Sequence, residues 1–176
     1  MRFYEALDLE PKLSLDLDDL KRRFYERSRQ WHPDRFTRAP AQDRQRALDM
    51  TAVLNDAFRT LKDPVSRAGY FLSESGMEVS KEAPPELLEE VFELNMALEE
   101  LRSGDDSVRS GLESAQTRFE GMLAGIDASL ADLFAAHDAA ASPATLREVR
   151  GALNRRRYVG NLLKEVGKEL NVHLPN

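Results

Sequence analysis

The chain has 176 residues, a formal net charge of −6 and a pI of about 5.2, a balance that argues against nucleic acid as its main partner. It has no cysteine, which excludes disulfides and thiolate metal sites, and no apolar run approaches the ~18 residues of a membrane span. Nine glycines and eight prolines give few turn signals, and the long periodic stretches leave no room for a sheet, so the expected class is all-α, in one larger or two small domains.

The opening MRFYEALDLE reads as folded sequence at once. It lacks the apolar core of a signal peptide and the Arg/Ser-rich, acid-poor composition of a transit peptide, so the expected location is the cytosol of a bacterium. Phe3, Tyr4 and Leu7 suggest a short first helix. Asp16 then supplies an N-cap, with Asp18 and Asp19 as an acidic first turn, for a second helix. On that helix Leu20, Phe24 and Trp31 fall within about 40° of one another on a wheel turning about 100° per residue, so this face packs inward. Arg22 and Arg29 lie on the opposite side, flanked by Lys21 and Tyr25.

The tripeptide His32-Pro33-Asp34 ends this basic helix. Proline has no N–H to donate and disfavours helical geometry at the residue before it, so the chain must bend there and present His32 and Asp34 at the mouth of the basic face. After a loop over 35–43, Ala47, Met50, Leu54, Ala57, Phe58 and Leu61 share an arc of roughly 100°, which predicts a helix over 44–61 closed by Asp63-Pro64. The two helices can pack antiparallel through Phe24, Trp31, Leu54 and Phe58. The tripeptide then forms a docking corner and not a catalytic centre.

A polar stretch, SESGMEVSKEAPP, separates two halves, giving expected boundaries of 1–75, a linker over 76–84, and 85–176. Tyr70, Phe71, Leu72, Met77 and Val79 are possible anchors, so the linker should be partly packed and should hold the halves at a fairly fixed angle.

Beyond it three helices are expected, over 86–102, 108–139 and 143–171, and their short connections require an antiparallel three-helix bundle. In the first, Leu87, Val91, Leu94, Leu98 and Leu101 form one stripe suited to the bundle seam. Leu88, Phe92 and Met96 form another, about 100° further round and bordered by Glu89, Glu93 and Glu99. The second stripe either widens the core or forms an exposed patch with an acidic rim, the composition of a protein-binding surface. The patch is favoured.

In the last helix Val149, Leu153, Gly160, Leu163, Gly167 and Leu170 follow a seam, with the glycines permitting close approach, while Tyr158 and Leu162 point away from it as a contact surface. Arg156 falls on that seam and must snorkel or pair with a glutamate; the run 155–157 otherwise reads as a solvated face. His137 shares an apolar stripe with Phe119, Ile126 and Leu130 and reads as a core or edge residue, and His173 sits in the terminal tail. Histidines so dispersed give no metal signature. No Gly-rich loop or nucleophile elbow accompanies His32 and Asp34, so no catalytic residue, cofactor or intrinsic enzymatic activity is expected.

The segments FYEALDLE at 3–10, LKRRFYERSRQWHPDRF at 20–36 and LNDAFRTLKDPVSRAGYFL at 54–72 resemble the J domain of DnaJ-type co-chaperones. The resemblance implies that His32, Pro33 and Asp34 engage a DnaK-type chaperone and stimulate its ATP hydrolysis, with Lys21, Arg22 and Arg29 as the electrostatic contact. The whole chain resembles the HscB-type co-chaperones of iron–sulfur cluster assembly, in which a J domain joins a C-terminal three-helix bundle in an L shape. LLEEVFELNMALEEL at 87–101 looks like that family's scaffold-binding helix. By this resemblance the bundle binds an IscU-like iron–sulfur scaffold through Leu88, Phe92, Glu93, Met96 and Tyr158 and delivers it to an HscA-like chaperone. Lack of the cysteine-rich zinc module of eukaryotic members favours a bacterial member. The alternative is a generic J-domain adaptor that recruits a DnaK-type chaperone to a different client.

Overall fold

In the computed structural model, which describes residues 1–78, 80 and 82–172, seven α-helices and three short 3₁₀ turns account for the regular structure, with no strand among the described residues. Val79 and His173 lie outside the described residues. The chain divides into two compact units. The first comprises Met1–Glu78 with Phe134–Leu146, and the second comprises the described residues of 79–133 and of 147 onward.

Helices α1 (Arg2–Ala6), α2 (Leu17–Gln30), α3 (Ala41–Lys62) and α4 (Pro64–Glu74) build the first unit. Asp16 starts α2 as expected, its side chain accepting hydrogen bonds from the amides of Asp18 (2.9 Å) and Asp19 (3.2 Å). Leu20 of α2 and Leu54, Ala57 and Leu61 of α3 are fully buried, and Phe24 stacks on Phe58 with ring centroids 4.3 Å apart. These contacts zip the α2–α3 hairpin. Helix α3 begins three residues before the expected position 44, because Pro40 caps a first turn that is exposed all round and so carries no apolar periodicity.

Asp63 then caps α4 by accepting from the Ser66 amide at 2.7 Å, with Pro64 at the first helical position. The helix closes through Gly76, whose φ of +74° lets the Met77 amide reach back to the Leu72 carbonyl at 2.8 Å.

Two buried polar groups knit the unit together. Arg67 donates to the carbonyls of Leu13 (2.7 Å) and Leu61 (2.6 Å), joining the α1–α2 loop to the end of α3. Tyr4, fully buried, donates its hydroxyl to the Lys12 carbonyl at 2.7 Å, and burial pushes its phenol well above the ordinary value. The residues 134–146 belong to this unit. Asp138 accepts from the amides of Leu13 (2.8 Å) and Ser14 (2.7 Å), and buried His137 meets Phe71 edge-on at 5.4 Å. His137 is thus a core residue, as its position on an apolar stripe suggested.

Helices α5 (Leu88–Arg102), α6 (Arg109–Ala139) and α7 (Pro143–Val172) carry the second unit, and their bounds match the expected three segments within three residues. Leu87, Leu94, Leu98 and Leu101 are buried against Leu112 and Phe119 of α6 and Val159, Leu162, Val166 and Leu170 of α7. The seam of α7 follows the expected one at Val149, Leu153 and Leu170, all buried, and differs between Leu153 and Leu170. Val159, Leu162 and Val166 face the core, each one residue before Gly160, Leu163 and Gly167, and a Cβ on Gly160 would meet nothing within 4 Å. Burying two valines and a leucine removes more apolar surface than burying two glycines and a leucine, and the rotation also frees Arg156 from the seam. Arg156 sits at the edge, half-buried, with its guanidinium on Asp127 of α6 (3.1 Å), an aspartate and not a glutamate.

The basic run 155–157 is more than a solvated face. Arg157 donates to the Ser80 carbonyl at 2.9 Å, and the neighbouring Asn154 amide donates to the Glu82 carbonyl at 2.9 Å, so α7 anchors the segment leading into α5. At the other end of α5, Arg102 bridges Glu99 and Glu169, both at 2.9 Å, and Glu165 at 3.5 Å.

Replacing Arg67 with leucine leaves two buried carbonyls without donors. Each unmet group costs about 1–2 kcal/mol, so Arg67→Leu is expected to destabilise the chain by about 2–4 kcal/mol in urea unfolding followed by circular dichroism. A change below about 0.5 kcal/mol would show that the arginine is not a structural tie.

Candidate functional site: the His-Pro-Asp corner and the α5 face

Helix α2 ends at Gln30, with the Trp31 amide still bonded to the Arg27 carbonyl at 3.0 Å. His32 is extended (φ −61°, ψ 128°), the geometry that a following proline favours, and Pro33–Phe36 then form one 3₁₀ turn. The His32 side chain caps that turn, its Nδ1 accepting from the Asp34 amide at 3.3 Å. The Arg35 amide bonds to the His32 carbonyl at 3.0 Å, and the Thr37 hydroxyl donates to the Asp34 carbonyl at 3.2 Å. The backbone is therefore held while the functional groups are not covered. The side chain of Asp34 is 85 % exposed and that of His32 58 %, with 3.6 Å between Nδ1 and the nearer carboxylate oxygen. An imidazole and a carboxylate this open to water suit docking to another macromolecule.

The basic face is less uniform than its composition suggests. Lys21 and Arg29 are exposed, and Arg29 makes a long 3.4 Å bond to the Tyr25 carbonyl in its own helix. Arg22 is exposed too, but its guanidinium is shared between Asp19 and Glu26 (3.0 Å). Asp19 also takes Arg23 at 2.7 Å, and hydrogen bonds from Arg23 and then Arg22 hold its carboxyl below the usual carboxylate range. The charge of Arg22 is thus locally compensated. Sequence reasoning passed over the other cations around the corner: residues 27–46 carry six arginines against two aspartates, and Arg35, Arg38 and Arg44 are all exposed. That imbalance was visible in the composition of the segment, but the loop offers no periodicity to say which way its side chains point.

On α5 the two stripes separate cleanly. Leu88, Phe92 and Met96 are 53 %, 68 % and 53 % exposed, whereas Leu87, Leu94, Leu98 and Leu101 of the seam are buried and Val91 is half-buried against them, so the second stripe does not widen the core. Half of the six large apolar side chains that stand exposed among the described residues lie here. Glu89, Glu93 and Glu99 border them, also exposed. Tyr158 does not share their situation: it is half-buried against the bundle core, with the Arg157 guanidinium 5.2 Å from its ring, and Leu162 is buried. Both were expected to point away from the seam, and the one-residue shift of that seam on α7 turns them inward. No cluster of His, Asp or Glu suited to a metal ion occurs among the described residues, and none of their helices is long and apolar enough to cross a membrane.

A helical hairpin with a solvated His-Pro-Asp corner at its bend and arginines around it defines a J-domain co-chaperone. Residues 2–70 match the DnaJ domain model, and residues 83–167 match that of the HSCB C-terminal oligomerisation domain. A co-chaperone protein HscB homolog of Vibrio vulnificus is 36 % identical over 141 residues, covering 78 % of this chain and 75 % of the relative; one of Shewanella loihica is 38 % identical over 110 residues, covering 60 % and 64 %. Among solved structures, the chaperone HscB from Vibrio cholerae superposes with a TM-score of 0.68 at 28 % identity over 99 % of this chain and all of its own. The human co-chaperone protein HscB shares the fold, with a TM-score of 0.70 at 20 % identity over 96 % of this chain and 82 % of its own. The chain belongs to the HscB family, the J-domain co-chaperones of iron–sulfur cluster assembly, and its J domain works with a DnaK-type chaperone.

Because Phe92 is solvated, Phe92→Ser should change the free energy of unfolding by less than about 0.5 kcal/mol. Leu98→Ala, on the buried stripe of the same helix, should cost about 2–5 kcal/mol. Comparable losses from the two substitutions in denaturant titrations would return Phe92 to the core.

Proposed function

We propose that the chain holds an IscU-like iron–sulfur scaffold protein on the α5 face and brings it to an HscA-like DnaK-type chaperone at the His-Pro-Asp corner, stimulating that chaperone's ATP hydrolysis. The functional divisions are a J domain over 1–75, a linker over 76–84 and a scaffold-binding bundle over 85–176. Leu88, Phe92 and Met96 bury against the scaffold, Glu93 supplies part of the acidic rim, and Tyr158, half-buried on α7, contributes at most its exposed edge. His32, Pro33 and Asp34 meet the chaperone, with Lys21, Arg22 and Arg29 as the electrostatic contact. The bond broken in ATP is the partner's, so the chain itself is not a catalyst, and it acts in the bacterial cytosol.

The observation that carries this reading is the division of α5 into a buried stripe that fills the bundle and a solvated one that does not. An apolar patch with an acidic border loses stability in water and regains it when a complementary surface covers it. The chaperone contact is of another kind. Exposed arginines and one bare carboxylate favour fast, salt-sensitive association over tight binding, which suits a delivery step that must end in release.

The two faces are separable by mutation in the full chain. Asp34→Asn should abolish stimulation of the chaperone's ATPase and leave scaffold affinity unaltered in calorimetry. Leu88→Ala with Phe92→Ala should weaken scaffold binding by about tenfold or more, equivalent to about 1.4 kcal/mol, and leave stimulation measured without scaffold unaltered. Full stimulation by Asp34→Asn would reject the docking role of the corner. Unchanged scaffold affinity in the double variant would leave the chain as a J-domain adaptor for a different client.

A further inference from the structure

The turn that carries Asp34 is closed by an aromatic contact spanning the whole tripeptide. Trp31 precedes it and Phe36 ends it, and the two rings lie parallel, 5° apart in plane with centroids separated by 5.9 Å. Trp31 is itself fixed from three directions: its amide bonds to Arg27 of α2, its carbonyl accepts the Thr51 hydroxyl of α3 at 3.2 Å, and the Arg46 guanidinium of α3 lies 5.5 Å from its ring. The bonds among His32, Asp34, Arg35 and Thr37 are internal to the loop and set its shape. They do not set its aim. What ties the loop to the hairpin is its packing on α3, one long bond from Arg35 to the Arg29 carbonyl (3.4 Å), and Phe36 lying on Trp31.

We propose that Trp31 and Phe36 are positioning residues that hold Asp34 in its chaperone-competent orientation, so that the stack raises the fraction of molecules ready to dock. The proposal rests on the docking reading of the corner and goes further, assigning a role to two side chains that need not touch the partner. Neither ring belongs to the fully buried core. Both are half-buried, and with Gln30, Asp43 and Arg46 they frame an open cleft of about 170 Å³. Changing them therefore alters how the loop is held more than whether the hairpin folds. A protein whose competent state is only partly populated binds with an affinity reduced by that fraction, yet reaches the same limit at saturation.

The stack and the carboxylate thus leave different signatures when ATPase stimulation is titrated with increasing full-length protein. Phe36→Leu keeps apolar bulk but removes the planar contact. It should raise the half-saturating concentration about fivefold or more while maximal stimulation stays within twofold of the parent. Trp31→Phe, which retains a ring to stack on, should stay within twofold in both parameters. Asp34→Asn should instead lose the maximum. Should Phe36→Leu fail to reproduce the parent's helical circular dichroism, Phe36→Met carries the same test. An unchanged half-saturating concentration in a folded Phe36 variant, beside a silent Asp34→Asn, overturns the positioning role alone. A lost maximum in that variant also overturns it, because Phe36 would then be part of the contact itself. Full stimulation by Asp34→Asn overturns the docking reading and this inference with it.

Discussion

Pro33 is the constraint on which the shape of the first unit's corner depends. Without an amide hydrogen, and with a ring that pushes His32 into extended geometry, it ends α2 at the point where the basic face runs out. Everything else in the hairpin serves to hold that stop in place. Phe24 on Phe58, with Leu20, Leu54, Ala57 and Leu61 buried beneath, fixes α2 against α3, and Arg67 ties the base of α3 to the loop before α2. The result is a corner whose backbone is bonded and whose charged groups stay open to water. A flexible loop with the same residues would present the same chemistry but lose more entropy on docking.

The second unit solves the complementary problem. A helix in a three-helix bundle needs one apolar stripe, and α5 carries two. Burying a leucine or phenylalanine side chain is worth about 1.5–3 kcal/mol, so leaving Leu88, Phe92 and Met96 in water forgoes several kcal/mol of folding free energy. The bundle tolerates this because its own seam is well filled and because Arg102, held by Glu99, Glu165 and Glu169, pins the far end of α5 to α7. What folding forgoes remains available to association.

Much of this was legible in the sequence because it is written in local periodicity. The bend at Pro33, the Asp16 cap and the three long helices of the C-terminal half all follow from signals within one or two turns of chain. The two stripes of α5 could be separated on a helical wheel, although only packing could say that one of them stays in water. The seam of α7 departs from its sequence pattern only in the middle of the helix, where a regular spacing of leucines and glycines competes with Val159, Leu162 and Val166, one residue away. The heptad pattern is blind to how little a glycine contributes when buried. The pairing of Arg22 with Asp19 and Glu26 lies within ordinary three- and four-residue spacing and could have been found. By contrast, the bonds from Asp138 to the loop at Leu13 and Ser14, and from Asn154 and Arg157 to the segment before α5, join residues 70 or more positions apart. No local pattern encodes them, nor the stack of Trp31 on Phe36, which needs the loop's path to be known.

On the proposed reading, two chemically distinct faces, one charged and one apolar, serve two different partners. The most direct measurement is a pair of amide chemical-shift titrations on the isotope-labelled full chain, one with the DnaK-type chaperone and one with the iron–sulfur scaffold protein. The chaperone should move resonances of residues 21–36 and leave 88–96 in place, and the scaffold should do the reverse. A chaperone that perturbs 88–96 while the corner at 32–34 stays silent would contradict that reading.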